Sequence, residues 1–194
     1  MAFTNQQTKE IFCKILYLGA SGAGKSENLR SIFKQSAKEA HLENAEIESN
    51  ATKFFDFLPL SLGAVGGYHI KLHLFSLPQR PIFRLEYVEG VLTKGVDGVV
   101  FVADSRLERI KNNLEALRDT RKLLERSGSS LDDIGVVFQY NQRDAKDAVD
   151  VGILREHLNL KRYVEQEAIA TQGVGTMETL KKITQGLLHR LAPL

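Results

Sequence analysis

Gly19-Ala20-Ser21-Gly22-Ala23-Gly24-Lys25-Ser26 decides the fold. The run fits G-x-x-x-x-G-K-[ST] without a substitution, the pattern of a loop that cradles phosphates. Before it stands an apolar run, Ile11 to Leu18 (IFCKILYL), that reads as a buried strand, and after it a helix-forming stretch runs from Glu27 to Ala40. Strand, loop and helix in that order are the context the pattern needs. The glycines let the backbone curl until successive N–H groups point at one anion. The helix behind adds the positive end of its dipole. Lys25 is placed to reach the terminal phosphates, and Ser26 to give its hydroxyl to Mg²⁺. Gly19 to Ser26, with Glu27 behind them, are the candidate phosphate-binding residues. A glycine-rich turn without a ligand is the plain alternative, and the flanking strand and helix weigh against it.

Outward from the loop, strands and helices alternate to the end of the chain. Residues 1–10 are polar and read as a flexible N-terminus, with 11–194 as one domain. Residues 40–51 read as a loop. Phe54 to Leu60 and Tyr68 to Phe75 read as two strands joined by a hairpin-like connection over Gly63-Ala64-Val65-Gly66-Gly67. Asp97 to Ala103 is short and apolar throughout, as a central parallel strand should be. Leu107, Ile110, Leu114, Leu117 and Leu124 mark one face of a helix that ends near Gly128. A buried strand over Ile134 to Tyr140, a short helix over Val151–Leu158, a weak strand over Glu165 to Ala170 and a helix striped by Met177, Leu180, Ile183 and Leu187 follow. The pattern predicts an α/β fold: a mostly parallel central sheet of about six strands, one antiparallel hairpin, and helices on both faces. In such sheets the ligand sits beyond the carboxyl ends of the strands, where the loop falls.

Composition narrows the class. With 194 residues, 43% hydrophobic and 26% charged, the chain has the make-up of one soluble globular domain. A formal net charge of +2, with basic residues spread among acidic ones, points to no nucleic-acid partner. The one cysteine, Cys13, lies in the first apolar strand and reads as a core residue in a reducing compartment. Five scattered histidines have no metal-ligand spacing. No apolar run approaches a membrane span and neither terminus carries a lipidation pattern. The expectation is a cytoplasmic protein without direct membrane insertion.

The choice of base rests on Asn141-Gln142-Arg143-Asp144, which follows directly after a buried strand. A carboxylate at Asp144 can accept from both guanine N1–H and N2–H₂, and adenine offers no such pair of donors. The run looks like the N-K-x-D guanine motif with Gln142 where lysine is usual. Taken alone it reads equally as a polar turn at a strand end. Downstream of the phosphate loop, it points to GTP and GDP with Mg²⁺ as cofactors.

At these residues the chain resembles the Ras-like small GTPases, P-loop NTPases with a Ras-like G domain, and within them the bacterial MglA group that controls motility and cell polarity. The resemblance covers about residues 11 to 190. Its most specific parts are Phe54-Phe55-Asp56-Phe57-Leu58-Pro59-Leu60, the run from Gly95 to Ser105, and Glu167-Ala168-Ile169-Ala170-Thr171. The resemblance implies that Ala170 and Thr171 pack on the guanine and that Thr52 completes Mg²⁺ coordination beside Ser26. It implies partner binding through residues 45–60 and 76–92, with roadblock-fold regulators and polarity scaffolds as partners, and recruitment to a cell pole through them.

The second switch departs from that pattern. Family members carry T-x-P-G-Q where this chain has Ser76-Leu77-Pro78-Gln79-Arg80. Gln79 takes the place of the glycine whose N–H meets the γ-phosphate, and Arg80 that of the glutamine that orients water. The family's arginine before the switch threonine is Ala51, and Ser76 replaces the carboxylate near Mg²⁺, for which Asp56 is a candidate substitute. An arginine finger contributes roughly 10³–10⁵ in rate, and turnover without one is on the order of 10⁻⁴ per second. The expectation is therefore a GTP-binding switch with very slow or absent intrinsic hydrolysis. The alternative is a conventional GTPase whose catalysis comes from a partner or from Arg80, the one candidate catalytic residue. An ATP-dependent phosphotransferase is disfavoured, because the chain leaves no room for a lid or substrate domain.

Overall fold

Continuous apolar runs give buried central strands, and that is where the middle of the molecule is built. The computed structural model describes residues 3–39, 48–49, 56–77 and 93–191. Strand β2 (Glu10–Gly19) lies at the centre of the sheet, flanked by two parallel neighbours, β5 (Tyr68–Ser76) and β6 (Gly98–Asp104). Beyond β6 come β7 (Gly135–Asn141) and β8 (Val164–Glu167), again parallel. Beyond β5 come β4 (Asp56–Val65), antiparallel, and the two-residue β3 (Glu48–Ser49). The order is β3-β4-β5-β2-β6-β7-β8, with β1 (Phe3–Asn5) paired to β2. Six long or medium strands, mostly parallel with one antiparallel hairpin, form the body of the sheet as the alternation predicts.

Every residue of β6 and β7 is buried, which requires cover on both faces. Helices α1 (Lys25–Glu39) and α4 (Thr176–Leu191) pack together on one side, α1 over β4 and β5, α4 over β6 and β7. Gly98 and Gly135 let α4 come close: a Cβ at Gly135 would lie 3.0 Å from Leu187 and 3.3 Å from Ile183. Helix α2 (Ile110–Arg126) packs on β2 and β6, with α3 (Val151–Leu158) against it. Asp150 caps α3, its carboxylate accepting the Gly152 N–H at 2.7 Å.

Three local expectations change. Residues 3–10, read as loose because they are polar, form a hairpin arm instead. Asn5 Oδ1 accepts from the N–H groups of Gln7 (3.0 Å) and Thr8 (3.2 Å) and tightens the turn. The arm pairs β1 with Glu10–Phe12, the part of β2 that precedes its pairing with β6. The connection between β4 and β5 is shorter than the glycine-rich run suggested. β4 continues to Val65, opposite Tyr68, so the turn is Gly66-Gly67 alone, both with positive φ (58° and 83°), as a two-residue hairpin turn demands. Gly63 belongs to a shift of register between Ser61 and Ala64. Finally, β8 ends at Glu167, and Ala170–Gln172 form a 3₁₀ turn rather than the end of a strand.

Two of the fully buried amides pair inside the apolar interior, Asn28 on α1 and Gln139 in β7. They bond reciprocally: Asn28 Nδ2 donates to Gln139 Oε1 and Gln139 Nε2 to Asn28 Oδ1, both at 2.8 Å. Gln139 Nε2 also donates to Thr179 Oγ1 of α4 at 2.8 Å. Stranding a buried amide costs about 1–3 kcal/mol, whereas replacing both partners with apolar groups can be nearly neutral. Asn28→Leu and Gln139→Leu are each expected to lower stability by about that much, and the double variant to recover part of the loss. Urea unfolding of the four proteins checks this; simply additive losses would show that the amides do not act as a unit.

Candidate functional site

The phosphate loop leaves β2 at Gly19 and enters α1 at Lys25, at the carboxyl end of the sheet. Each of its six carbonyls from Gly19 to Gly24 is held by a donor. Lys25 Nζ folds back on Gly19 O (3.0 Å) and Ala20 O (2.8 Å). Arg109 Nη2 donates to Ser21 O, Gln142 Nε2 to Gly22 O (2.8 Å) and Asn141 Nδ2 to Ala23 O (2.8 Å). Gly24 O accepts from the N–H and from the side-chain Nδ2 of Asn28, both at 3.0 Å. Carbonyls engaged in this way do not turn inward, so the loop presents its N–H side to whatever it encloses. Gly24 is needed for this: a Cβ there would lie 2.2 Å from Asn141 Nδ2 and push that donor away.

Lys25 is 6% exposed, and burial pulls its ammonium down from its ordinary value to about 8. The two carbonyls solvate it only partly, which leaves a cation ready for an anionic partner. Ser26 Oγ lies 3.2 Å from Ser76 Oγ at the end of β5. Asp56 is directly opposite Ser76 in the β4–β5 pair, half-buried and on the same face of the sheet. Among the described residues no three His, Cys, Asp or Glu side chains gather into a metal cluster. An ion here could draw on the hydroxyls of Ser26 and Ser76, with the Asp56 carboxylate opposite, and on the nucleotide itself.

The base-side residues converge on the same loop. Asn141 is 3% exposed and bridges two segments: its Nδ2 holds Ala23 O, and its Oδ1 accepts the Ala170 N–H at 2.9 Å. Phosphate loop, strand end and the Ala170–Thr171 turn are thus fixed by one side chain. Gln142 adopts a left-handed backbone (φ 62°), a conformation of some cost outside glycine, and spends its amide on Gly22 O. Asp144 is exposed and among the described residues its carboxylate accepts only a long bond, from Gln172 (3.3 Å), which leaves it open to a base. Thr171 is exposed beside the buried Ala170.

The structure thus brings Gly19–Ser26, Asn141, Gln142 and Ala170 together by direct bonds and sets Asp144 on the adjoining turn. Thr52, Gln79, Arg80 and Ala51 lie outside the described residues. Three residues of this constellation carry no motif in the sequence. Arg109 reaches its carbonyl across 88 residues. Asn28 lies in the polar start of the helix after the loop and Gln139 inside the run Ile134 to Tyr140, and no pattern singles out either. Phe57, one of three neighbouring phenylalanines, packs half-buried against Phe75 (ring centroids 4.8 Å) and His73 (5.4 Å). The Cys13 thiol is pushed by burial up to about 12, which removes it from thiolate chemistry.

A loop of this form after the central parallel strand, with the hairpin β4–β5 behind α1, defines a P-loop protein of the Ras-like fold. No family model matches the chain. It is 41% identical over 193 residues, 98% of this chain and 98% of the relative, to the mutual gliding-motility protein MglA of Myxococcus xanthus (strain DK1622). The chain belongs to the MglA group of small GTPases.

Proposed function

We propose that the chain is a guanine-nucleotide switch that acts through nucleotide-dependent partner binding and hydrolyses GTP very slowly or not at all by itself. The observation that carries the nucleotide reading is Asn141, whose one side chain locks the phosphate loop to the turn that would receive the base. In this reading Gly19 to Ser26 and Glu27 surround the phosphates, and Lys25 leaves its two carbonyls for phosphate oxygens. Asn141, Gln142, Asp144, Ala170 and Thr171 hold the guanine. Mg²⁺, when bound, neutralises phosphate charge. Ser26 and Thr52 are its proposed ligands, and Asp56 supports it from across the β4–β5 pair.

The proposal of slow hydrolysis comes from Ala51 and Arg80, where the family pattern has arginine and glutamine. Residues 45–60 and 76–92, with Gln79 at the γ-phosphate, form the proposed contact surface for roadblock-fold regulators and polarity scaffolds. The role of the Myxococcus relative in gliding motility, stated in its name, extends to this chain as a proposal, with the protein in the cytoplasm and drawn to a cell pole by partners. No helix of the described residues is long and apolar enough to cross a membrane.

Nucleotide competition and single-turnover hydrolysis test this. GTP and GDP are expected to displace a fluorescent guanine nucleotide while ATP does not. Preloaded GTP is expected to decay no faster than about 10⁻⁴ per second. Displacement by ATP would remove the guanine reading. Faster decay by the chain alone would restore a hydrolysing enzyme, with Arg80 as the first residue to replace.

A further inference from the structure

Arg109 closes the 3₁₀ turn that follows β6 and stands at the head of α2. Its guanidinium rests on the middle of the phosphate loop. Nη2 donates to Ser21 O, and the same nitrogen is 3.7 Å from where a Cβ on Gly22 would project. Nε lies 3.5 Å from Asp104 Oδ2, yet it is buried with no hydrogen-bond acceptor among the described residues. Asp104 is itself fully buried and already taken: Arg106 grips it from two nitrogens, at 3.1 and 2.7 Å. Glu108 is 4.0 Å from Arg106 and 70% exposed, so water screens it. One buried carboxylate therefore serves two guanidinium groups, with only the exposed Glu108 and Asp147 beside Arg106 to add to it, and Arg109 lies against residues 21 and 22.

A neutral carbonyl and a shared carboxylate are poor partners for a planar group with five donors. Phosphate oxygens match that group in charge and geometry. We propose that Arg109 is a phosphate-binding residue acting in cis, which turns from Ser21 O to the phosphate chain of a bound nucleotide. The proposal rests on the guanine-nucleotide reading above.

Two substitutions separate charge from bracing. Arg109→Gln keeps an amide donor for Ser21 O and drops the charge, whereas Arg109→Lys keeps the charge. Affinities for mant-GDP and mant-GTP are measured by titration of the nucleotide-free full chain, and guanosine is used as a competitor without phosphate. Thermal unfolding confirms that each variant is folded. Arg109→Gln is expected to weaken both nucleotides by ten- to a hundred-fold, Arg109→Lys by clearly less, and guanosine is expected to bind all three proteins alike. Binding by Arg109→Gln equal to that of the unaltered chain overturns the proposal. So does an equal loss in both variants, or a loss shared by guanosine, which would make Arg109 a brace for the loop. Absence of guanine-nucleotide binding by the unaltered chain would instead remove the reading on which the proposal stands.

Discussion

Lys25→Met is expected to weaken nucleotide binding by several orders of magnitude while leaving the nucleotide-free protein as stable as before, or more so. Its ammonium would give up bonds to two carbonyls for bonds to phosphate. Charge-assisted hydrogen bonds contribute about 1.5–3 kcal/mol each, so losing two weakens binding by roughly 10²–10⁴-fold. The stability sign runs the other way. Burial lowers the folded-state value to about 8 from 10.5. The unfolded chain therefore holds this proton more tightly, and stability rises with pH between those values. Below about pH 8 the buried cation costs on the order of 3 kcal/mol. Methionine removes that cost and strands the Gly19 carbonyl, an offset of about 1–3 kcal/mol. The melting midpoint is expected to hold or to rise by a few degrees. A fall in the midpoint in step with lost binding would mean that Lys25 is structural.

The same residue sets a pH dependence for the unaltered chain. Phosphate beside Lys25 favours the charged form and raises its value in the complex. Affinity is then full below about pH 8 and falls above it, by up to tenfold per pH unit until the raised value is passed. Titrations from about pH 7 to 9 check this. The slope should vanish in Lys25→Met measured with a weakly bound nucleotide at high concentration.

What was legible in the sequence follows from what backbone chemistry requires. The phosphate loop was readable because a curled backbone needs glycine at set positions, and Gly24 shows why in its 2.2 Å approach to Asn141. The central strands β6 and β7 were readable because burial on both faces favours nearly continuous apolar runs, broken by Gln139 and by the strand-end residues Asp104 and Asn141. Turns were less legible. Gly63 and Gly66 look alike in sequence, yet one sits at a shift of register and the other in a turn, and only pairing with β5 tells them apart. Contacts made by long side chains between distant elements left no trace. Arg109 meets Ser21 because the sheet places the ends of β2 and β6 side by side, a fact of topology rather than of local pattern.

Asp144→Asn is expected to exchange the base that the site accepts. An ionised carboxylate offers acceptors only, which suits the two donors on the guanine edge. An asparagine amide presents one donor and one acceptor, so its N–H₂ would face guanine's own donors with nothing to accept it. Xanthine carries a carbonyl where guanine carries N2–H₂, and pairs with that amide in full. Sites built to bond a polar edge reject a mismatched one strongly, because buried groups are left unpaired. GTP affinity is expected to fall by roughly 10²–10³-fold, and XTP, weak on the unaltered chain, to overtake it. The fold should not notice: Asp144 is exposed and accepts only the 3.3 Å bond from Gln172, so its stability contribution is within about 0.5 kcal/mol. Competition of GTP and XTP on both proteins, with unfolding midpoints alongside, reads all three outcomes. Loss of GTP without gain of XTP would place Asp144 away from the base edge and return N-Q-R-D to an ordinary strand-end turn. A gain of XTP would fix the guanine reading to this carboxylate, and with it the assignment of Asn141 as the link between base and phosphate loop.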